Sequence, residues 1–204
     1  LGVAAGIWTV ASGSTQQVIL PLGLPDLPFH LRLDPLSGFF LTVIGLLGFF
    51  VSIYSIGYIK GFLGKRRVEI LRQSPLGGTL ITRHPVPLKR DRGVTGLGIF
   101  YSLFLAGMFM VVLADDALFF LISWEIMAAA SYFLVMFEDE RRENRRAALL
   151  YIVVAHVGAI AILLSFGIMA GLATEFKSFS GYTFDAMRGT DFPLQWATPA
   201  FLLA

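Results

Sequence analysis

The stretch of sequence that decides the fold is LGIFYSLFLAGMFMVVLADDALFFLISWEIMAAASYFLVMF, residues 97–137. A helix needs about 20 apolar residues to cross the hydrocarbon core of a bilayer, so this stretch is long enough for two crossings. Two adjacent carboxylates, Asp115 and Asp116, divide it. Because charged groups cost far less at the membrane surface than in the hydrocarbon, the pair predicts a tight turn between transmembrane helices at 97–114 and 117–137.

The composition of the whole chain agrees with a membrane location. Of its 204 residues, 56% are hydrophobic and 15% are charged, and the mean hydropathy is +0.73, whereas about a quarter of the residues in soluble domains are charged. The chain has no cysteine, which excludes disulfides, cysteine-ligated iron–sulfur clusters and thiolate nucleophiles. The sequence therefore predicts an all-α membrane protein, a polytopic bundle of transmembrane helices, that holds no cofactor and has no catalytic centre of its own.

Apolar and polar blocks on both sides of this stretch continue the pattern. Asp34-Pro35 predicts a helix start, because the carboxylate can cap free amides and proline suits a first helical turn. Both chain ends lie in apolar runs, so we interpret the chain as a fragment of a longer protein. The remaining predicted segments are a truncated transmembrane helix at 1–11, an extracytoplasmic hairpin or loop at 12–35, transmembrane helices at 36–60 and 147–173, a basic loop at 61–96, a charged loop at 138–146, an extracytoplasmic loop at 174–198 and a helix that starts with Pro199 at 199–204.

The distribution of positive charge predicts which loops face the cytoplasm. Nine of the 16 lysines and arginines lie in residues 60–92 and four lie in 138–146. If every span crosses once, these two loops share one side, and the positive-inside rule assigns that side to the cytoplasm. The longer basic loop has few aromatic residues and no nucleic-acid-binding motif, so we expect it to contact anionic lipid headgroups and no nucleic acid.

Glu125 is the most informative residue for function. It is the ninth residue of the span predicted at 117–137, which puts it near the bilayer centre at a rise of about 1.5 Å per residue. An ionisable side chain there costs about 2.5–3.5 kcal/mol, so a chain that retains one usually uses it. Burial favours the protonated carboxyl, whereas a nearby cation or water favours the ionised one, which makes Glu125 a candidate proton site. The alternative is a permanently protonated Glu125 that only joins helices.

His156 is the second candidate for proton translocation. It lies at a similar depth on the next predicted helix, and an imidazole ordinarily titrates near pH 6.5. The alternative is a neutral imidazole that only packs between helices. The accessory candidates are Tyr132, one turn beyond the small residues that follow Glu125, and Glu138 and Glu143 in the charged loop, which we interpret mainly as solvated and alternatively as a docking surface. The histidines lack ligand-like spacing, so no metal site is predicted.

Several motifs carry a family resemblance. They are LDPLS at 33–37, YSIGY at 54–58, VLADDALFFLISWEIM at 112–127, EDE at 138–140, ENRRA at 143–147 and AHVG at 155–158. With these motifs the chain resembles the antiporter-like proton-translocating subunits of the complex I superfamily. Within that superfamily it is most similar to the large membrane subunit of hydrogenase-4 and formate hydrogenlyase, the group 4 membrane-bound hydrogenases. The resemblance leaves out both ends and residues 65–95, where the chain is longer and more basic than the family pattern.

The resemblance implies a fold of about 14 helices, built from inverted repeats with broken helices. It implies that Glu125 matches a glutamate that pairs with a lysine on a later helix, expected beyond Ala204, and that His156 matches a histidine of the family. The implied function is a proton-translocating subunit of a hydrogenase or formate hydrogenlyase-type oxidoreductase complex that couples electron transfer to ion transport. The implied partners are other membrane subunits, a peripheral hydrogenase or oxidoreductase arm and the lipid bilayer.

Two alternative functions stay open at this stage. One is an antiporter-like subunit of NADH-quinone oxidoreductase or of a multisubunit sodium/proton antiporter, whose members share the Trp-Glu helix. The other is a structural membrane anchor without transport. The anchor differs from both transport functions at Glu125, because transport requires a carboxyl that gains and loses its proton and an anchor does not.

Overall fold

The computed structural model describes residues 2–24, 27–73, 91–138, 142–175, 177 and 179–204. The described residues are mostly helical and include one two-stranded sheet. In chain order the elements are α1 (Gly2–Ser12), β1 (Gln16–Leu24), β2 (Leu27–Leu33), α2 (Pro35–Gln73), α3 (Asp91–Leu113), α4 (Ala117–Val135), a 3₁₀ turn (Met136–Glu138), α5 (Arg142–Thr174), a second 3₁₀ turn (Phe179–Tyr182), α6 (Phe184–Arg188) and α7 (Leu194–Leu203).

Four helices are long and apolar enough to cross a membrane. The candidate spans are Pro35–Gly61, Val94–Leu113, Ala117–Val135 and Arg142–Thr174. Between 6% and 22% of each apolar window is buried inside the chain, so most of the apolar surface of these helices faces outward, as a lipid or subunit environment requires. The prediction of an all-α, polytopic membrane fold is therefore confirmed.

The helices extend farther at the basic end of the bundle than hydropathy predicts. Residues 61–96 were expected to form a loop, but α2 continues to Gln73 and α3 begins at Asp91. Hydropathy marks where a chain leaves the hydrocarbon, whereas lysine, arginine and glutamate are good helix formers that let a helix continue into water. The predicted loop at 74–90 lies outside the described residues.

The other predicted connections also contain helical structure. Residues 136–138 form a 3₁₀ turn and α5 begins at Arg142, while 139–141 lie outside the described residues. The segment predicted as a loop at 174–198 contains α6 and the start of α7. Helix α7 begins at Leu194 with Pro193 as its N-cap, so Pro199 lies inside the helix and not at its start. The fixed φ of proline suits a helix start at either Pro193 or Pro199, so the sequence alone does not show at which of the two the helix begins.

Close backbone contact fixes α4 against α3. A Cβ atom added at Gly107 would lie 2.9 Å from the Cβ of Met127, so a side chain at this position would force the two helices apart. Farther along the same antiparallel pair, the rings of Phe100 and Phe133 stack with their centroids 4.5 Å apart. These contacts set the rotation of α4, and with it the direction in which Glu125 points.

The β1–β2 hairpin covers the turn between α3 and α4. Its antiparallel register runs from Gln16 opposite Leu33 to Leu24 opposite Leu27, with an irregularity between Leu20 and Gly23. The irregularity spans Pro21, which has no N–H to donate to a strand ladder. An isolated bridge between Leu31 and Ala114 joins β2 to the end of α3.

Candidate functional site

Glu125 and His156 meet between α4 and α5. The Oε2 atom of Glu125 lies 3.4 Å from the Nε2 atom of His156. Glu125 is the ninth residue of the 19-residue helix α4, and His156 lies well inside the 33-residue helix α5, so both are far from the helix ends. The structure thus brings the two principal candidate residues into direct contact.

The hydrogen bond of the second ring nitrogen of His156 determines how many protons the Glu125–His156 pair carries. Nδ1 of His156 lies 2.8 Å from the carbonyl oxygen of Ile152, one turn earlier on α5. A carbonyl only accepts hydrogen bonds, so Nδ1 carries a proton and the Nε2 atom of the neutral ring is left as an acceptor. A carboxylate facing an unprotonated Nε2 would be repelled, so the pair is satisfied when one further proton lies on Glu125 or on His156.

The pair is partly open on its outer side. The Glu125 side chain is 44% exposed and the His156 side chain is 54% exposed within this chain. Ionisable side chains inside a membrane face a bundle interior or a water-filled cavity, because hydrocarbon cannot solvate them. The open side of the pair therefore requires water or a further protein element.

The accessory candidates lie apart from this pair. Tyr132 is half-buried on α4, with its ring 5.3 Å from that of Phe133. Glu138 ends the 3₁₀ turn after α4, and Glu143 is exposed in the first turn of α5. Glu143 precedes His156 by thirteen residues, about 20 Å along the helix. The structure does not bring Glu143 to the pair.

Two further buried polar atoms belong to residues next to Glu125 in the chain. Ser123 is completely buried, and its Oγ has no hydrogen-bond partner among the described residues. The buried indole Nε1 of Trp124 also lacks one among them, while its ring stacks on Phe120 at 6.0 Å. Buried polar groups normally bond to protein or to water, so both atoms mark places where ordered water would be favourable.

A second polar cluster surrounds the turn between α3 and α4. Asp116 is fully buried, and its carboxylate accepts hydrogen bonds from the backbone N–H groups of Phe119 at 2.6 Å and His30 at 2.7 Å. It therefore caps α4 and ties the hairpin to it. Asp115 is 5% exposed, and its backbone carbonyl accepts from the N–H of Phe184 at 3.0 Å. The two aspartates lie in the predicted turn between α3 and α4, and the hairpin and α6 cover them.

Arginines on the hairpin and α6 balance the carboxylates of this cluster. Asp185 accepts from Arg32 at 3.0 Å and from Arg188 at 2.7 Å. Burial raises the pKa of Asp115, the negative charge of Asp185 raises it further, and the nearby arginines offset only part of this shift. Burial opposes the ionisation of Asp185, but the Arg188 hydrogen bond and the two arginine charges outweigh it and lower the pKa of Asp185.

We expect Asp185→Asn to weaken the attachment of α6 to the hairpin in a pH-dependent way. Because the folded-state pKa of Asp185 lies below its ordinary 3.8, its contribution is present above that value and is lost as the pH falls through the lowered pKa. The side chain is 59% exposed, so solvent screening limits the effect to about 0.5–1 kcal/mol. Thermal denaturation in detergent should show a deficit at pH 7 that closes below about pH 4. A deficit that is unchanged at low pH would contradict the ion-pair assignment, and Asp191→Asn, at an exposed aspartate, is the matched control.

The fold and the site together define a class: a multi-pass membrane protein with an acid–imidazole pair in the middle of its helices. Two family models match the chain in order. Residues 20–67 match the family described as NADH-ubiquinone oxidoreductase (complex I), chain 5 N-terminus, and residues 114–197 match the family described as NADH:quinone oxidoreductase/Mrp antiporter, TM. The second match contains both Glu125 and His156. The predicted resemblance to the antiporter-like subunits of the complex I superfamily is therefore confirmed.

Curated relatives agree with this assignment. Hydrogenase-4 component B of Escherichia coli is 27% identical over 151 residues, which is 73% of this chain and 18% of that protein. Two uncharacterized proteins from two strains of Mycobacterium tuberculosis are each 33% identical over 147 residues, 72% of this chain and 18% of their own length. The chain thus spans about a fifth of the length of the curated relatives that it matches.

Proposed function

We propose that this chain is part of a proton-translocating membrane subunit of a hydrogenase-type oxidoreductase complex, in which electron transfer in other subunits drives ion movement here. The observation that carries the proposal is the 3.4 Å contact between Glu125 and His156 within apolar helices. The family matches and the similarity to a hydrogenase-4 component support it.

The chemistry of the proposed step follows from the tautomer of His156. Glu125 in its protonated form donates its O–H to Nε2 of His156, and transfer of that proton leaves a carboxylate beside an imidazolium. The reverse transfer restores the neutral pair, so the net charge of the pair does not change in this step. A second charged group or water on the open side of the pair would favour either the neutral pair or the carboxylate–imidazolium pair. A change in the charge or position of that neighbour would therefore move the proton between Glu125 and His156.

The proposed function also includes a membrane location, an orientation and partner subunits. We propose that the complex lies in the plasma (inner) membrane of a prokaryote with the basic α2–α3 and α4–α5 connections in the cytoplasm, as the charge distribution predicts. Other membrane subunits and a peripheral hydrogenase or oxidoreductase arm are its proposed partners. The outward-facing apolar surface of the four spans leaves room for neighbouring helices.

A second candidate function has support from the same findings. The family model that matches residues 114–197 is named for both NADH:quinone oxidoreductase and Mrp antiporters, so a subunit of a quinone-reducing complex or of a sodium/proton antiporter is the alternative. The two candidates share the Glu125–His156 pair and differ in the electron-transfer partner. Purification of the native complex and identification of its peripheral subunits separates them.

The relay role of His156 is tested by His156→Gln in the complete complex, reconstituted into vesicles. The glutamine amide can still hydrogen-bond to Glu125 but cannot take up a proton, so we expect proton translocation to fall by about tenfold or more while the complex assembles normally. Translocation is measured as acidification of the vesicle lumen per electron transferred. A rate equal to that of the unaltered complex would remove His156 from the path.

A further inference from the structure

A second polar contact joins α4 and α5. The Oγ atom of Ser131 lies 2.6 Å from the hydroxyl oxygen of Tyr151 and 2.9 Å from the carbonyl oxygen of Ala128. From Glu125 to Ser131 the chain advances six residues along α4, and from His156 to Tyr151 it goes back five residues along α5. Both contacts join α4 to α5, so the hydroxyl pair and the Glu125–His156 pair lie along the same helix–helix interface.

The distance between the two pairs along the helix axes is short enough for a chain of a few water molecules. Six residues correspond to about 9 Å along α4, and five residues correspond to about 7.5 Å along α5. At about 2.8 Å per hydrogen bond, such a chain needs at least two water molecules over this axial distance. Three of the intervening residues on α4 are alanines, Ala128 to Ala130, and Ala155 precedes the histidine on α5, so small side chains occur between the two pairs.

The hydroxyl pair has the hydrogen-bonding capacity that a proton relay needs. Ser131 has one hydroxyl proton and two acceptors within reach, Tyr151 and the Ala128 carbonyl. When the Ser131 proton points to the carbonyl, which cannot donate, Tyr151 donates to Ser131; when it points to Tyr151, the tyrosine proton is free to be donated elsewhere. Reorientation between these arrangements passes a proton along without placing a lasting charge on either side chain.

We propose that Ser131 and Tyr151 conduct protons between the connected end of α4 and α5 and the Glu125–His156 pair. This inference rests on the proposed function and names two residues along the path by which protons reach Glu125. In the proposed orientation the connected end faces the cytoplasm, so the hydroxyl pair serves proton uptake. Tyr151 and Ser131 are relay residues, and Glu125 remains the side chain that takes up the proton.

The test compares Tyr151→Phe and Ser131→Ala with the unaltered complete complex in vesicles. Phenylalanine keeps the ring and its packing and removes only the hydroxyl, so we expect normal assembly and proton translocation slowed by about tenfold. The solvent deuterium isotope effect on translocation should increase, which loss of packing alone would not cause. Ser131→Thr keeps a hydroxyl and should retain the original rate. Because both residues act in one path, the double variant should be little slower than either single variant.

A matched control is available on another helix pair. The Tyr101 hydroxyl donates to the Gly48 carbonyl at 2.9 Å between α3 and α2, so Tyr101→Phe removes an interhelical tyrosine hydrogen bond away from the α4–α5 interface. We expect it to leave translocation unchanged. If Tyr151→Phe translocates protons at the original rate while Glu125→Gln does not, the hydroxyl path is wrong and the proposed function stands. If Glu125→Gln also translocates at the original rate, both are wrong.

Discussion

Glu125→Gln is expected to abolish proton translocation by the complete complex. Glutamine has nearly the shape of the protonated carboxyl and can still donate a hydrogen bond to Nε2 of His156, 3.4 Å from the native carboxyl oxygen. It cannot release a proton, so the transfer between the two side chains is lost. We expect translocation to fall by a factor of about 100 or more, with normal assembly of the complex. The measurement is proton uptake into vesicles during electron transfer.

A surface glutamate supplies the control for this substitution. Glu175 follows α5, and its side chain is 78% exposed and far along the helix from the pair. Glu175→Gln makes the same chemical change outside the proposed path and should leave translocation unaltered. Full translocation by Glu125→Gln would leave only the anchor function, in which a protonated Glu125 joins two helices and moves nothing.

The largest expected effect on stability belongs to Asp116→Ala. The fully buried carboxylate of Asp116 accepts the Phe119 N–H at the start of α4 and the His30 N–H of β2. Loss of an N-cap costs about 1–2 kcal/mol, and a buried N–H left without its charged acceptor adds a similar amount. We therefore expect a loss of about 2–4 kcal/mol, measured as a lower midpoint of thermal denaturation in detergent.

Two further variants locate the origin of this loss. Asp116→Asn keeps an oxygen that can cap α4 but removes the negative charge, so its loss should be intermediate. Asp191→Ala removes an exposed aspartate before α7 and should have little effect. Equal stability of Asp116→Ala and Asp191→Ala would show that the hairpin and α4 are not joined through this carboxylate.

The α3–α4 hairpin could be predicted from the sequence because its signal is local. Two adjacent carboxylates in the middle of an apolar run that is long enough for two crossings favour a turn at the membrane surface, and α3 ends at Leu113 while α4 begins at Ala117. Helix ends in the basic region were not predictable in the same way. Lysine and arginine end a hydrophobic span without ending a helix, so α2 continues to Gln73.

The candidate site was only partly accessible from the sequence. Depth along a helix follows from counting residues, so Glu125 and His156 were expected at similar heights. Whether their side chains face each other depends on how α4 and α5 are rotated, and packing such as that between Gly107 and Met127 sets this rotation. The Ser131–Tyr151 contact was missed for the same reason.

The turn that Asp115 and Asp116 predict is present, but the polar cluster around it was not predictable from the sequence. Asp116 is a recognisable N-cap, since it directly precedes an apolar helix. Its burial depends on His30, which lies 86 residues earlier in the chain, and on α6. Local sequence patterns do not predict that either of them contacts the turn. Backbone N–H groups from two distant parts of the chain therefore hold the Asp116 carboxylate.

The most direct test of the central claim is an infrared difference measurement on Glu125 in the complete complex during turnover. The carbonyl stretch of a protonated carboxyl is separate from the bands of a carboxylate, and the difference between unaltered complex and Glu125→Gln isolates this side chain. We expect the protonated-carboxyl band of Glu125 to lose and regain intensity during turnover, and we expect this change to be absent from His156→Gln. A band that stays constant during turnover, with or without His156, would contradict a carboxyl that exchanges its proton with the imidazole.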